Sequence, residues 1–160
     1  MPLKSKRNAE LRKLSLLSNS PSIDIILPPK ERFTAKNAGA ISGVVSDLVT
    51  ASANPGCFRI VGSKIEAPLN NLKFMGLTAR GRWFRGNNIG CAADYLAQIT
   101  QTSAPDLIEV HSRAPIATYI KKHRPDLNVS LYLHNDPRNM RGARSPAERT
   151  ALLHEMAGII

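Results

Sequence analysis

Two short stretches concentrate the side chains that can move protons or hold charge: Glu109, His111, Ser112 and Arg113, then His134, Asn135, Asp136 and Arg138. Histidine changes charge near neutral pH, so two of them in one cleft can act as base, acid or hydrogen-bond partner. Each cluster directly follows an apolar, β-branched run, Asp106-Leu-Ile-Glu-Val110 or Val129-Ser-Leu-Tyr-Leu133, that reads as a strand. If those strands are parallel, both clusters lie on one edge of the sheet, outside the carboxyl ends where open α/β sheets bind ligands. Either histidine alone also fits a structural, hydrogen-bonded role. A zinc ion on His111, His134 and Asp136 would require three ligands gathered without a local spacing motif, so no metal is expected.

A third region, Ala38-Gly-Ala-Ile-Ser-Gly43, opens a helix shortly after Lys30 and Glu31. Glycine there lets a backbone approach a phosphate, and a helix N-terminus favours negative charge. The run is not GxGxxG, and glycines that ease helix packing explain it equally well. The loop Arg138-Asn-Met-Arg-Gly-Ala-Arg144 has no apolar purpose and reads either as a binder of phosphate or an acidic acceptor, or as a solvated charge run. Trp83-Phe84-Arg85-Gly86 reads as a plug over the core or as an exposed docking loop. Cys57 and Cys91 are far apart and lack metal-ligand spacing, which points to buried thiols.

The elements that position these residues alternate along the chain. Strands are expected at Ile23–Leu27, Phe58–Val61 and Asp106–Val110, at 129–133, and in short form near Lys73–Met75. Helical stripes appear at Ile41, Val44, Val45 and Leu48, at Ala92, Tyr95, Leu96 and Ile99, and at Ile116, Ala117 and Ile120. Ser145-Pro-Ala-Glu148 carries a capping serine, proline at N1 and glutamate at N3, starting a last helix with the stripe Leu152, Leu153, Met156 and Ile159. A strand should complete the sheet after it, and the chain reads as stopping at Ile160 before that strand. The expected fold is α/β: a Rossmann-like open parallel sheet with helices on both faces, spanning 21–160. Residues 1–20 form a basic tail, in which Leu11, Leu14 and Leu17 mark at most a short helix ended by Pro21.

With 160 residues and 42% hydrophobic content, the chain supports one core. It has no apolar run long enough to span a membrane and no secretory signal at its start, so a cytoplasmic protein is expected. The net charge of +10 attracts polyanions of any kind. Only 5% of residues are aromatic and no nucleic-acid-binding motif occurs, which disfavours nucleic acid as the partner. Anionic lipid headgroups and acidic glycolipids fit the charge equally well.

Pro105-Asp-Leu-Ile-Glu-Val-His-Ser-Arg-Ala-Pro115, Leu131-Tyr-Leu-His-Asn-Asp-Pro137 and Met140-Arg-Gly together resemble the N-terminal domain of family 4 glycosyltransferases of GT-B architecture. The likeness is to the bacterial branch that builds lipopolysaccharide and other surface polysaccharides, and it runs from about Ile23 to Ile160. The resemblance implies an acceptor-side half, with the nucleotide-sugar bound by a C-terminal half that this chain lacks. A truncated chain of this kind is expected to be inactive alone. The resemblance makes His134 the strand-end histidine that reaches the donor sugar, and places Gly39 and Ala40 in the loop that approaches the donor diphosphate. The family often has a second glycine where this chain has Ala38. Glu109, His111, Asn135, Asp136 and Arg138 would line the acceptor side. The resemblance further implies a glycan or glycolipid acceptor, no cofactor beyond the nucleotide-sugar substrate, and a place at the inner face of the membrane. The alternative is a non-catalytic basic module holding an acidic glycan, a lipid headgroup or nucleic acid.

Overall fold

A computed structural model of the chain describes residues 20–78, 82–100 and 104–160, with the backbone alone in 82–85. The expected tail helix at Leu11, Leu14 and Leu17, and the side chains of Trp83, Phe84 and Arg85, lie outside the described residues. Six strands form one sheet: β1 (Ile23–Ile26), β2 (Phe58–Ser63), β3 (Phe74–Leu77), β4 (Leu107–His111), β5 (Val129–Tyr132) and β6 (Gly158–Ile159). Four helices connect them: α1 (Ala40–Ala51), α2 (Arg82–Ile99), α3 (Ala114–His123) and α4 (Pro146–Glu155). Every strand pair is parallel, in the order β3-β2-β1-β4-β5-β6. This is the Rossmann-like α/β architecture expected from the alternation of periods.

The two faces of the sheet bury two apolar clusters, as the period of two along each strand requires. Ile25, Leu27 and Ile60 pack with Phe33 and with Val45 and Val49 of α1. Ile26, Val61, Ile108, Val110, Val129 and Leu131 pack on the opposite side, against α2, α3 and α4 through residues such as Tyr95, Ile116, Ile120 and Leu152. Helices therefore cover both faces. Among the described residues, no helix is long and apolar enough to cross a membrane.

Three local expectations change. The buried face of α1 is Ser42, Val45, Ser46 and Val49, whereas Val44 and Leu48 are 45% and 47% exposed. Counting apolar residues misses that small serines let a helix approach the sheet, and the Ser46 hydroxyl is satisfied by the Asn70 amide at 2.9 Å. Helix α2 starts at Arg82, ahead of Asn88, with a break at Gly86, and β3 runs two residues further than Met75.

The third change concerns the chain end. The strand expected to be missing is present: Gly158 and Ile159 pair with Ser130 and Leu131, and Leu133 donates to the Ile160 carbonyl at 2.8 Å. The last helix stops at Glu155, so Ile159 belongs to the sheet and Leu153 points outward at 68% exposure. Helical spacing could not separate an i+3 apolar residue from one in a following strand. The capping box at the helix start forms as expected, with the Ser145 hydroxyl accepting from the Glu148 amide at 3.2 Å and the Glu148 carboxylate accepting from the Ser145 amide at 2.8 Å.

One buried polar network was not apparent in the sequence. Asp24 in β1, 2% exposed, accepts two hydrogen bonds from its register partner Arg59 at 2.9 and 2.6 Å. It also accepts one from the buried Tyr95 hydroxyl of α2 at 2.7 Å. The hydrogen bond to Asp24 holds the Arg59 guanidinium above its usual pKa, and burial pushes the Tyr95 phenol well up. This network locks α2 onto the centre of the sheet.

Candidate active site at the carboxyl edge

Chain order reverses between β1, which leads outward to β2 and β3, and β4, which leads the other way to β5 and β6. In doubly wound sheets, ligands bind outside the carboxyl ends of the strands at this point of reversal. The strands there alternate unusually. Parallel strands covered on both sides are normally apolar throughout. Here β4 presents Ile108 and Val110 to the helices α2 to α4, but Glu109 and His111 to the other face, in register with Ser130 and Tyr132 of β5.

These residues form a hydrogen-bonded chain. Glu109 Oε1 lies 2.7 Å from His111 Nε2, and His111 Nδ1 lies 2.7 Å from His134 Nε2. His111 is completely buried and its ring stacks on Tyr132, with centroids 4.8 Å apart and planes 9° from parallel. A carboxylate accepts only, so the His111 Nε2 proton points at Glu109 and its Nδ1 presents a lone pair. His134 then donates its Nε2 proton to that lone pair, leaving His134 Nδ1 as an acceptor for a ligand. Burial and the neighbouring His111 lower the His134 pKa below 6.5, while Glu109 and Glu31 pull the other way. At neutral pH His134 is therefore an uncharged, half-buried base.

The backbone at this corner is strained. Ser112 takes a left-handed φ of 53°, and its amide donates to the Tyr132 carbonyl at 2.8 Å. Such a conformation in a residue other than glycine costs on the order of 1–3 kcal/mol and persists where surrounding contacts impose it. It turns the chain sharply out of β4, so that Arg113 caps α3 directly beside the histidines.

The start of α1 contributes a further element. Gly39 is the N-cap residue, and the Glu31 carboxylate accepts from the Ser42 amide at 2.9 Å. A side chain at Gly39 would collide with that carboxylate, so the glycine is required for close approach. The helix N-terminus expected to meet a phosphate thus holds an internal anion.

The remaining sequence candidates separate. Asp136 caps the turn Pro137–Asn139 and pairs with Arg138 at 2.7 Å, so these two charges mainly satisfy each other. Asn135 lines a cavity of about 550 Å³ together with Asn88, Ser112, Arg113, Asn139, Arg141 and Arg144. Arg141 and Arg144 belong to the basic loop 138–144 that the sequence offered as a phosphate or acidic-acceptor binder, and they line this cavity while Met140 and Ala143 are buried. Cys91 is buried, and burial pushes its thiol up to about 11; Cys57 is also a free thiol, partly buried. Among the described residues, no group of three or more His, Cys, Asp or Glu is arranged to hold a metal ion. The chain matches no protein-family model and no curated protein sequence.

Proposed function

We propose that the chain forms the acceptor-side lobe of a glycosyltransferase that moves a sugar from a nucleotide-sugar to a glycan or glycolipid during synthesis of cell-surface polysaccharide. The observation that carries this reading is the Glu109–His111–His134 chain, seated where the strand order reverses. Sugar transfer needs an uncharged group that holds a hydroxyl in line, and preorganised dipoles for the departing diphosphate. His134 Nδ1 accepts from a sugar hydroxyl, and Glu109 and His111 fix the tautomer that makes it an acceptor. The first amides of α1, beside Gly39 and Ala40, receive a phosphate when the Glu31 carboxylate swings away. Asn135 and the cavity beside it face the acceptor. On this reading the donor is held by a second lobe, no metal or other cofactor takes part, and the protein works in the cytoplasm at the inner face of the membrane.

The test is titration of the purified chain with nucleotide-sugars, oligosaccharides, anionic vesicles and duplex DNA at two salt concentrations, following the histidine Cε1 protons by NMR. Sugar ligands should shift the His134 and His111 signals, and His134→Ala should abolish the response. Binding confined to DNA, and falling steeply with salt, would overturn the reading in favour of a nucleic-acid module.

A further inference from the structure

The carboxyl edge carries a second feature that the histidine chain does not use. Three guanidinium side chains, Arg113, Arg141 and Arg144, line the cavity of about 550 Å³ between the start of α3 and the loop before α4. Asn88, Asn135 and Asn139 add amide groups to the same wall. The one carboxylate there, Asp136, is already paired with Arg138. Among the described residues, neither Arg141 nor Arg144 has an ion pair or a side-chain hydrogen bond, and the Arg113 guanidinium donates only to the Ser112 carbonyl, at 2.7 Å.

The loop is built to hold this arrangement. Met140 and Ala143 are buried, so Arg141 and Arg144 fall on the outward side of the turn. Gly142 between them has a φ of +82°, and a Cβ there would lie 3.4 Å from the Pro115 ring and 3.5 Å from the Ala114 side chain. The loop is therefore pinned against the first turn of α3. That turn has no acidic residue and no side-chain cap, so its positive end adds to the field of the arginines.

We infer that this cavity is a phosphate site, which reads a phosphate monoester on the ligand and is formed by Arg113, Arg141 and Arg144. Guanidinium groups bind phosphate oxygens in pairs through their planar fork, and several of them around one cavity match a tetrahedral dianion better than a planar carboxylate. The identity of the ligand as a phosphorylated acceptor rests on the glycosyltransferase reading; the binding of phosphate does not.

Inorganic phosphate is the probe, titrated at constant ionic strength against the ¹⁵N-labelled chain. Saturable shifts are expected at the amides of Arg113, Arg141 and Arg144. Arg141→Ala and Arg144→Ala should each weaken binding by about tenfold, the loss of one charge-assisted contact. Lys73→Ala, which removes the same charge at the opposite edge of the sheet, should leave binding unchanged. Arg141→Gln keeps most of the side-chain stem and should still weaken it, which separates loss of charge from loss of packing. Equal effects of Arg141→Ala and Lys73→Ala, or shifts spread over every basic residue, would overturn the inference. Vesicles of phosphatidylcholine doped with phosphatidic acid distinguish the source: capture abolished by both alanine variants places the phosphate on a lipid, and saturation without capture places it on a soluble sugar. Phosphate binding without any sugar response at His134 removes the glycosyltransferase reading and leaves this site standing. A sugar response without phosphate saturation does the reverse.

Discussion

Replacing His111 by Phe isolates the central link of the histidine chain. The side chain stays aromatic and can still stack on Tyr132, though phenyl is somewhat larger than imidazole, and both 2.7 Å hydrogen bonds vanish. The Glu109 carboxylate, 17% exposed, loses its partner, a loss of about 1.5–3 kcal/mol for a hydrogen bond to a charged group. Loss of the neutral bond to His134 adds about 0.5–1.5 kcal/mol. Partial access of water to Glu109 returns some of this, leaving about 2–4 kcal/mol. For a domain of this size that is a fall of roughly 5–15 °C in Tm. The same change removes His111, one of the two causes that hold the His134 pKa down, while burial persists. The His134 pKa should therefore rise. Urea unfolding with an unchanged slope and an NMR titration of His134 measure the two effects. A stability loss below about 1 kcal/mol, or an unmoved His134 titration, would show that the three side chains are adjacent but not coupled.

Asp24→Ala should cost about 3–5 kcal/mol, because it strands the Arg59 charge and the Tyr95 hydroxyl, and the triple change Asp24→Leu, Arg59→Met, Tyr95→Phe should recover most of it in urea unfolding. Because the His134 pKa is lowered on folding, the native state binds fewer protons than the unfolded chain. The wild type should thus lose stability relative to His134→Gln as pH falls below 6.5, and thermal melts from pH 7.5 to 5 should show no such divergence above neutrality. Gly39→Ala should cost about 1–2 kcal/mol by driving Glu31 off the Ser42 amide, and in the Glu31→Ala background it should cost almost nothing, which a double-mutant cycle reads directly.

The first five strands, the capping box and the placing of both histidines on one edge were legible because each rests on a local pattern. The alternation in Leu107-Ile-Glu-Val-His111 already separates an apolar side from a polar one, and the capping motif at Ser145 is a self-contained hydrogen-bond unit. What was not legible depends on pairs distant in sequence. Asp24 looks like a break in an apolar strand until register brings Arg59 beside it and α2 lowers Tyr95 onto it. Glu31 and Gly39 are eight positions apart, and only the folded loop shows that one makes room for the other. The rotation of α1 was misread because a helix packs by shape as well as by hydropathy, and serine is small. The sequence marked the whole loop 138–144 as basic, but not which of its arginines stay open; that is set by the Asp136 carboxylate, which reaches Arg138 and leaves Arg141 and Arg144.

The polar side of β4 and β5 also bears on how the sheet finds its pairing. A slip of β5 by one residue past β4 would turn Leu131 out towards the histidines and drive Ser130 and Tyr132 into the layer beneath α3 and α4. The described residues of that layer, Ile116, Ala117, Ile120 and Leu152, are apolar. A strand apolar on both sides would tolerate that slip, since either side could face the helices. The residues gathered for chemistry thus also act as a spelling check on the fold: the one alignment in which Glu109, His111, Tyr132 and His134 meet is the one that keeps Val110 and Leu131 dry.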